Sequence, residues 1–208
     1  MQLTDELVAR LDLFYTLLAR WNEKINLTSL SDPDEAIDRL LVEPLAAARY
    51  VTGAMMMDVG SGGGSPAIPL KLALPRLSLT MVEAKTRKSA FLREAVRQLE
   101  LTDAHVETAR LEELLTRSEL HEAFDMVSMR AVRVEMRSLR TAQAFMASGG
   151  RLLLFRGPSG PDAPAVVVPP LRWEGTYPLL DSLRSRVTVL SKVSIGSAIV
   201  PRGTTSRR

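Results

Sequence analysis

The chain of 208 residues is 46% hydrophobic and 25% charged, which is typical of one soluble α/β domain with a full core. Because it contains no cysteine and only two histidines, we exclude a disulfide framework, a thiolate or histidine metal site and a cysteine nucleophile. The net charge of +3 is uneven, with nine basic and three acidic residues from Arg151 onward, which fits either an anionic partner or a solvated basic end.

The first 53 residues predict a helical extension ahead of the main domain, which we assign to residues 54–208. Apolar residues recur at three- and four-residue steps from Leu3 to Leu18. This period predicts an amphipathic helix over residues 4–19.

The rest of the extension predicts a connector and a second helix. Residues 21–28 interrupt the helical period and are predicted to be the connector. The second helix is expected to begin after Asp32, as N-cap, with Pro33 at its first position, and to run to about Tyr50. Pro44 should kink or split it.

From residue 54 onward, predicted strands and helices alternate. In chain order they are strand 54–59, helix 66–74, strand 77–83, helix 85–101, strand 105–108, a short helix 111–117, strand 124–129, helix 134–147, which Gly149-Gly150 ends, and strand 151–155. A proline- and glycine-rich loop is expected at 157–170, followed by strands 172–177 and 186–193 that pair antiparallel at one edge. The repeated βα units predict an α/β fold of Rossmann-like, doubly wound type, in one compact unit.

A glycine-rich turn follows the first strand, in the stretch AMMMDVGSGGGS at 54–65. A buried strand that leads into such a turn and then into a helix is typical of a nucleotide-binding site, because glycine allows positive φ and close approach to a ligand. The simplest alternative is a plain glycine-rich loop. A dinucleotide site is another, since Ser65 nearly completes the G-x-G-x-x-G/A spacing.

Asp58 and Glu83 decide between these alternatives. We expect Asp58 to face the ligand at the carboxyl end of the first strand, where it would repel a pyrophosphate and attract a cationic ligand that carries an amino acid. Asp58-x-Gly60-x-Gly62-x-Gly64 resembles the first motif of class I S-adenosylmethionine-dependent methyltransferases. Glu83, 23 residues after Gly60 at the end of the second strand, could then accept both ribose hydroxyls.

Further motifs resemble the G-type small-subunit ribosomal RNA methyltransferases, also called the glucose-inhibited division protein B family. The similar segments are WN at 21–22 with NLT at 26–28, DVGSGGGSPAIPL at 58–70, RK-x-x-FL at 87–92, RLE at 110–112 and FD-x-V-x-x-RA at 124–131. Lys192 and Pro201-Arg202 resemble a K…PR segment only weakly. The resemblance extends over residues 15 to 157.

This resemblance implies methyl transfer from S-adenosylmethionine to N7 of a guanine in 16S (small-subunit) ribosomal RNA. The cofactor-binding residues that it implies are Asp58, Gly60, Gly62, Gly64, Ser65, Glu83, Leu111, Glu112 and Arg130. In the family pattern Leu111 and Glu112 flank the adenine, whereas from the residues alone they resemble a core leucine and a helix-start acid. Arg130, at the end of the fourth strand, should point into the crevice where such sheets bind ligands.

The chemistry of guanine N7 agrees with the residues that the chain lacks. N7 carries an exposed lone pair, so no general base is needed and we predict no catalytic acid or base. Pyrimidine C5 methylation normally uses a cysteine, and methylation of exocyclic amines often uses [ND]-P-P-[YF], where this chain has SMRAV at 128–132. Alignment of the reacting atoms is then the main source of catalysis.

RNA contacts are predicted at five positions. These are Asn22, Arg133, Arg137, Arg140 and Arg156. The arginines 133, 137 and 140 recur on one helix face, which fits phosphate contacts and equally a solvated face.

Departures from the family pattern concentrate on the substrate side. They are the segment Arg39-Leu40-Leu41-Val42-Glu43-Pro44-Leu45, which lacks the usual histidine and serine, Ser65 in place of a bulky apolar residue, Ala67 in place of glycine, and Arg156-Gly157 in place of lysine-glycine. A related methyltransferase with another RNA or small-molecule substrate, and a non-catalytic module with the same fold, therefore remain as alternatives.

The expected setting is a cytoplasmic monomer whose partner is ribosomal RNA or the small ribosomal subunit, with no metal and no membrane contact. The N-terminus MQLTDELVAR lacks the features of a signal peptide. No apolar run is long enough to span a bilayer.

Overall fold

Helices and strands alternate along a computed structural model that describes residues 3–29, 32–130, 135–159 and 162–193. The helices are α1 (Asp5–Ile25), α2 (Pro33–Ile37), α3 (Glu43–Ala47), α4 (Ala67–Ala73), α5 (Thr86–Gln98) and α6 (Met136–Phe145). A π-helical turn at Asp38–Val42 joins α2 to α3, and 3-10 turns lie at Ala48–Tyr50, Leu111–Thr116 and Ser118–Leu120. The strands are β1 (Met55–Val59), β2 (Ser78–Val82), β3 (Ala104–Glu107), β4 (Phe124–Arg130), β5 (Met146–Arg156), β6 (Leu171–Leu180) and β7 (Ser185–Lys192).

The strands form one seven-stranded sheet in the order β3-β2-β1-β4-β5-β7-β6. The first five strands pair in parallel, whereas β7 pairs antiparallel with both β5 and β6. This topology confirms the predicted doubly wound α/β fold and its antiparallel edge. The strand order reverses between β1 and β4, and in such sheets ligands bind in the crevice outside the carboxyl ends of the strands at that point.

Two hydrophobic clusters cover the two faces of the sheet. Successive residues of β1 point to opposite faces, so that Met56 belongs to one cluster and Met57 to the other. The cluster on the Met56 side also contains Phe14 and Leu18 of α1 and Phe91 of α5. The N-terminal helices therefore share a core with the sheet, and a domain boundary after residue 53 stays a prediction.

The first helix is longer than predicted, because α1 continues to Ile25 through the segment that was expected to be a connector. Trp21 packs on Phe91 with ring centroids 5.8 Å apart, which gives this last part of α1 a tertiary contact. Asn26 then ends the helix with a left-handed backbone conformation, at φ 50°.

The second helix begins as predicted, since Asp32 Oδ1 accepts a hydrogen bond from Glu35 N at 2.8 Å. Helical backbone continues to Tyr50, and the irregularity expected at Pro44 takes the form of the π-helical turn immediately before α3.

Gly149 and Gly150 do not end a helix as predicted, because α6 stops at Phe145 and both glycines lie inside β5. The pairing of β4 with β5 shifts register there, from Phe124 opposite Met146 to Met126 opposite Arg151. A Cβ on Gly150 would lie 2.9 Å from the Ala147 carbonyl oxygen, so this irregularity requires glycine.

None of the helices in the described part of the chain combines the length and the apolarity that crossing a membrane requires.

Candidate cofactor site

The glycine-rich turn between β1 and α4 is anchored to the end of β2. The backbone N–H groups of Gly60 and Ser61 both donate to the Val82 carbonyl, at 2.8 and 3.1 Å. Gly60, Gly62 and Gly64 have φ values of 73°, 49° and 82°, in the left-handed region that favours glycine. The turn thus has the backbone geometry that the sequence predicted.

Three of the glycines meet different surroundings. A Cβ on Gly62 would have no neighbour nearer than 3.7 Å, so this position faces open space. A Cβ on Gly63 would lie 3.4 Å from the Leu27 carbonyl, and one on Gly64 would lie 2.7 Å from Ile68 Cδ1 in α4. Of these three, Gly62 is therefore the one positioned for ligand approach, whereas Gly63 and Gly64 allow the turn to pack against its own chain.

Gly60 lines two cavities. The larger, of about 410 Å³, lies between the turn, the loop after α1, the π-helical turn and the end of β4. The smaller, of about 260 Å³, is walled by Leu111 and Glu112 of the first 3-10 turn and by Met129. Glu83 lines the larger cavity, and its neighbours in sequence line the smaller. The pair of cavities provides space for an elongated ligand with Glu83 near its middle.

Glu83 is held in a defined orientation. The residue is only 8% exposed. Its Oε2 accepts from Gly62 N at 3.0 Å and its Oε1 from Lys85 N at 2.8 Å. A carboxylate accepts up to about four hydrogen bonds, so both oxygens keep capacity for ligand hydroxyls.

Asp58 does not face the cavities, contrary to the prediction. Its side chain is 1% exposed and lies beneath the turn, where Oδ1 accepts a hydrogen bond from Ser128 Oγ. Oδ2 has no hydrogen-bond partner among the described residues. Burial raises the pKa of Asp58 above its ordinary value, although hydrogen bonds from Ser128 and Ser61 oppose the shift.

Arg130 reaches the larger cavity from the end of β4, as predicted, and its guanidinium is bonded on two nitrogens. Nη1 donates to Ser65 Oγ at 2.8 Å, and Nη2 donates to the Arg39 carbonyl at 2.6 Å and to the Glu43 carboxylate. Ser65 Oγ donates in turn to the Leu40 carbonyl at 2.8 Å. Burial lowers the pKa of Arg130, and the Glu43 charge opposes that shift.

Pro44 and the π-helical turn explain why these two carbonyls are free to accept. In an α-helix, the Arg39 carbonyl would accept from Glu43 N, but Glu43 N donates to the Asp38 carbonyl instead. The Leu40 carbonyl would accept from residue 44, and proline has no N–H. Arg130 and Ser65 satisfy the two groups.

These contacts explain the departure from the family pattern at Ser65. In place of a bulky apolar side chain, the serine forms a hydrogen-bonded bridge between the helical extension and β4. Ala67, the other departure near the turn, is fully buried at the start of α4.

The predicted RNA-binding residues that the structure describes lie on three different elements, α1, α6 and β5. Asn22 Oδ1 accepts from Leu27 N and Thr28 N at 2.6 and 2.8 Å, so this side chain shapes the wall of the larger cavity. Arg137 and Arg140 are exposed on α6.

The other two predicted RNA contacts differ in kind. Arg156 Nη1 contacts the Asp162 carbonyl and Thr188 Oγ1 at 3.3 and 3.4 Å, away from both cofactor cavities. Arg133 lies outside the described residues.

Sequence reasoning assigned no site role to three residues that line the larger cavity or to one buried behind it. Glu43 was noted only as part of a divergent segment, yet it is 1% exposed and paired with Arg130. Arg39, Lys85 and Lys88 line the cavity mouth. A glutamate among apolar residues of a buried helical stretch was the one available signal for Glu43, since such acids are seldom buried without a partner.

The residues present fit S-adenosylmethionine. Gly62 leaves room for close approach, Glu83 offers acceptors for ribose hydroxyls, and Leu111 provides an apolar wall for a base. Within the described ranges, no cluster of three or more histidine, aspartate or glutamate residues could hold a metal ion.

Comparison with known proteins finds methyltransferases, in agreement with a site for S-adenosylmethionine. A family model described as rRNA small subunit methyltransferase G matches residues 7–162. A ribosomal RNA small subunit methyltransferase G of Xylella fastidiosa is 41% identical over 144 residues, which are 69% of this chain and 63% of that protein. One of Desulfitobacterium hafniense is 32% identical over 157 residues, which are 76% of this chain and 66% of that protein.

Among solved structures, a SAM-dependent methyltransferase from Aquifex aeolicus matches 85% of this chain and 98% of its own. The TM-score is 0.59 at 12% sequence identity, so this likeness concerns the fold.

Proposed function

The chain belongs to the rRNA small subunit methyltransferase G family, and we propose that it transfers a methyl group from S-adenosylmethionine to N7 of a guanine in 16S ribosomal RNA. The observation that carries the proposal is the pair of cavities around Gly60, with Glu83 between them, at the carboxyl ends of β1, β2 and β4. When bound there, S-adenosylmethionine supplies an electrophilic methyl group on its sulfonium.

The residues around the cavities divide the binding of this cofactor between them. Glu83 would accept hydrogen bonds from the ribose hydroxyls, because its carboxylate is already oriented by two backbone N–H groups. Leu111 and Glu112 would flank the adenine in the smaller cavity. Gly60 and Gly62 would leave room for the backbone to approach the rest of the cofactor.

The proposed reaction needs alignment rather than proton transfer. Guanine N7 has no proton to lose, so no side chain has to act as a base. Glu83, the carboxylate that lines the larger cavity, already accepts two hydrogen bonds from the backbone. Alignment of two reactants in one crevice can contribute roughly 7–11 kcal/mol in favourable cases.

The RNA would approach along basic surfaces beside the two cavities. Lys85 and Lys88 line the larger cavity, and neither ammonium has an acceptor among the described residues. Arg137 and Arg140 add exposed positive charge on α6. Contacts of this kind with phosphates supply much of the affinity for RNA and make it depend on salt.

The decisive experiment measures methyl transfer from labelled S-adenosylmethionine to three acceptor pools, namely small ribosomal subunits, naked 16S ribosomal RNA and small metabolites. Label on a guanine N7 of the ribosomal RNA supports the proposal. Label only on another RNA or a metabolite points to a related methyltransferase instead, which the divergent Pro44 and Ser65 would favour.

Calorimetric titration with S-adenosylmethionine separates an enzyme from a non-catalytic module without a functional cofactor site. The matched variant is Glu83→Gln, which keeps the size of the side chain and removes its charge. We expect it to weaken cofactor binding about tenfold or more, since hydrogen bonds to charged groups contribute about 1.5–3 kcal/mol. Absence of any binding to the native chain would refute the proposed function.

A further inference from the structure

Glu43 is a buried acid that does not line the larger cavity but pairs with Arg130, which does, and the proposed reaction does not use its charge. On the premise of the proposed function, we propose that Glu43 is a positioning residue: it orients the Arg130 guanidinium and cancels its charge, so that the crevice accepts a cationic cofactor.

The geometry first assigns Glu43 to Arg130. Glu43 is 1% exposed and the Arg130 side chain 12%, and the two form an ion pair in which only Arg130 lines the cavity. The pair joins α3 to the end of β4, 87 residues apart in the sequence. A carboxylate buried this deeply requires a counter-charge, and so does a buried guanidinium.

The guanidinium is also fixed in direction. Arg130 Nη1 donates to Ser65 Oγ, and Nη2 donates to the Arg39 carbonyl and to Glu43, so both terminal nitrogens of the guanidinium have partners. An arginine held in this way cannot swing away from the cavity when a positive ligand enters. Its charge must therefore be compensated where it stands.

The excess of positive charge around the cavity is the reason why Arg130 needs a counter-charge. Four cationic side chains line the larger cavity, namely Arg39, Lys85, Lys88 and Arg130, against the single carboxylate of Glu83. The sulfonium of S-adenosylmethionine is positive, whereas the thioether of the product S-adenosylhomocysteine is neutral. An uncompensated Arg130 would repel the first ligand and not the second.

The test compares the affinities of both ligands for the native chain and for Glu43→Gln, by calorimetry. An uncompensated unit charge about 10 Å away, at an effective dielectric constant of about 20, changes affinity by roughly tenfold. We expect Glu43→Gln to weaken the binding of S-adenosylmethionine roughly tenfold more than the binding of S-adenosylhomocysteine. Equal weakening of the two ligands would assign Glu43 a structural role only and overturn the proposal.

Two matched controls isolate the charge. Glu35→Gln also removes one carboxylate near the cavity. Glu35 pairs with Arg39 at 3.5 Å but is about half exposed, so solvent should screen its charge. The ratio of the two ligand affinities should therefore stay within about twofold of the native value. Ser65→Ala removes a hydrogen bond from Arg130 without a change of charge. It should weaken both ligands alike.

Arg130→Gln keeps the proposal falsifiable if Glu43→Gln does not fold. This change leaves the Glu43 carboxylate without its cation, so the ratio of affinities must move several-fold toward S-adenosylmethionine. An unchanged ratio or a move toward S-adenosylhomocysteine would overturn the proposal. Native chain that binds neither ligand would instead refute the proposed function, so the two failures are distinct.

Discussion

Replacement of Gly64 by alanine tests why the turn after β1 requires a glycine at this position. Gly64 has φ 82°, and a Cβ there would lie 2.7 Å from Ile68 Cδ1 and 3.3 Å from Phe14 Cε2. Left-handed backbone costs an L-residue roughly 1–2 kcal/mol. Overlap with a fully buried Ile68 adds about 1–3 kcal/mol. Gly64→Ala should therefore lower the free energy of unfolding by about 2–5 kcal/mol in total.

Gly149 provides the matched control. Its φ is 79°, nearly that of Gly64, but a Cβ there would meet nothing within 4 Å. Gly149→Ala should therefore carry only the backbone cost of roughly 1–2 kcal/mol. The free energies of unfolding of both variants are measured in urea, and the dependence of each on urea concentration is compared. The difference between the two losses of stability is the steric contribution.

A double-mutant cycle identifies the atom responsible. Ile68→Val removes Cδ1, at its own cost of about 0.5–1.5 kcal/mol, and should make Gly64→Ala less costly by about 1 kcal/mol or more. If Gly64→Ala and Gly149→Ala cost the same within about 0.5 kcal/mol, then Ile68 moves aside and the steric reasoning is refuted.

The same series separates stability from ligand binding at Gly62. A Cβ at Gly62 would have no neighbour nearer than 3.7 Å, so Gly62→Ala should cost no more stability than Gly149→Ala. Its methyl group would occupy space in the larger cavity. We expect a clear loss of cofactor affinity here, and an affinity equal to that of Gly149→Ala would contradict the assignment of Gly62 to ligand approach.

Three further changes test other parts of the site. Asn22→Ala should lower the free energy of unfolding by about 1–3 kcal/mol in urea, because two backbone N–H groups lose their acceptor, whereas Asn22→Asp keeps the acceptor and should cost less. Burial raises the folded-state pKa of Asp58, so its contribution to stability is complete below the unfolded value of about 4 and is lost as pH rises through the folded value. Asp58→Asn should therefore gain stability relative to the native chain as pH rises above about 4, and a difference that stays constant with pH would count against this reasoning. Reversal of Arg137 and Arg140 to glutamate should weaken RNA binding and flatten its salt dependence by about one unit of slope per lost phosphate contact, with cofactor affinity unchanged; native RNA binding would leave α6 as a solvated face.

Much of the fold was predictable because its signals are local. The alternation of apolar strands with amphipathic helices predicted the parallel sheet, and the two short strands without a helix between them predicted the antiparallel edge. Element boundaries were predicted less well where tertiary contacts decided them. Trp21 lies in a helix that its neighbours in sequence did not predict, and it packs against Phe91.

The candidate site divides in the same way. The positive φ values of Gly60, Gly62 and Gly64 and the position of Glu83 at the end of β2 follow from short stretches of sequence. The orientation of Asp58 does not, because the side that a strand-end residue faces depends on what covers it. The structure places this carboxylate against Ser128 of the adjacent strand, beneath the turn instead of in the cavity.

By itself, the sequence determined the class of fold, the glycine turn and the resemblance to a methyltransferase family, since each depends on residues that are near neighbours along the chain. Only the tertiary structure decided what Ser65, Pro44 and Glu43 do. Pro44 lacks an N–H for the Leu40 carbonyl, and in the π-helical turn Glu43 N donates to Asp38 instead of Arg39. Ser65 and Arg130 reach these two carbonyls from other elements. A buried charge is stable only beside its counter-charge, and the partner of Glu43 lies 87 residues away, a distance over which local sequence pattern carries no information.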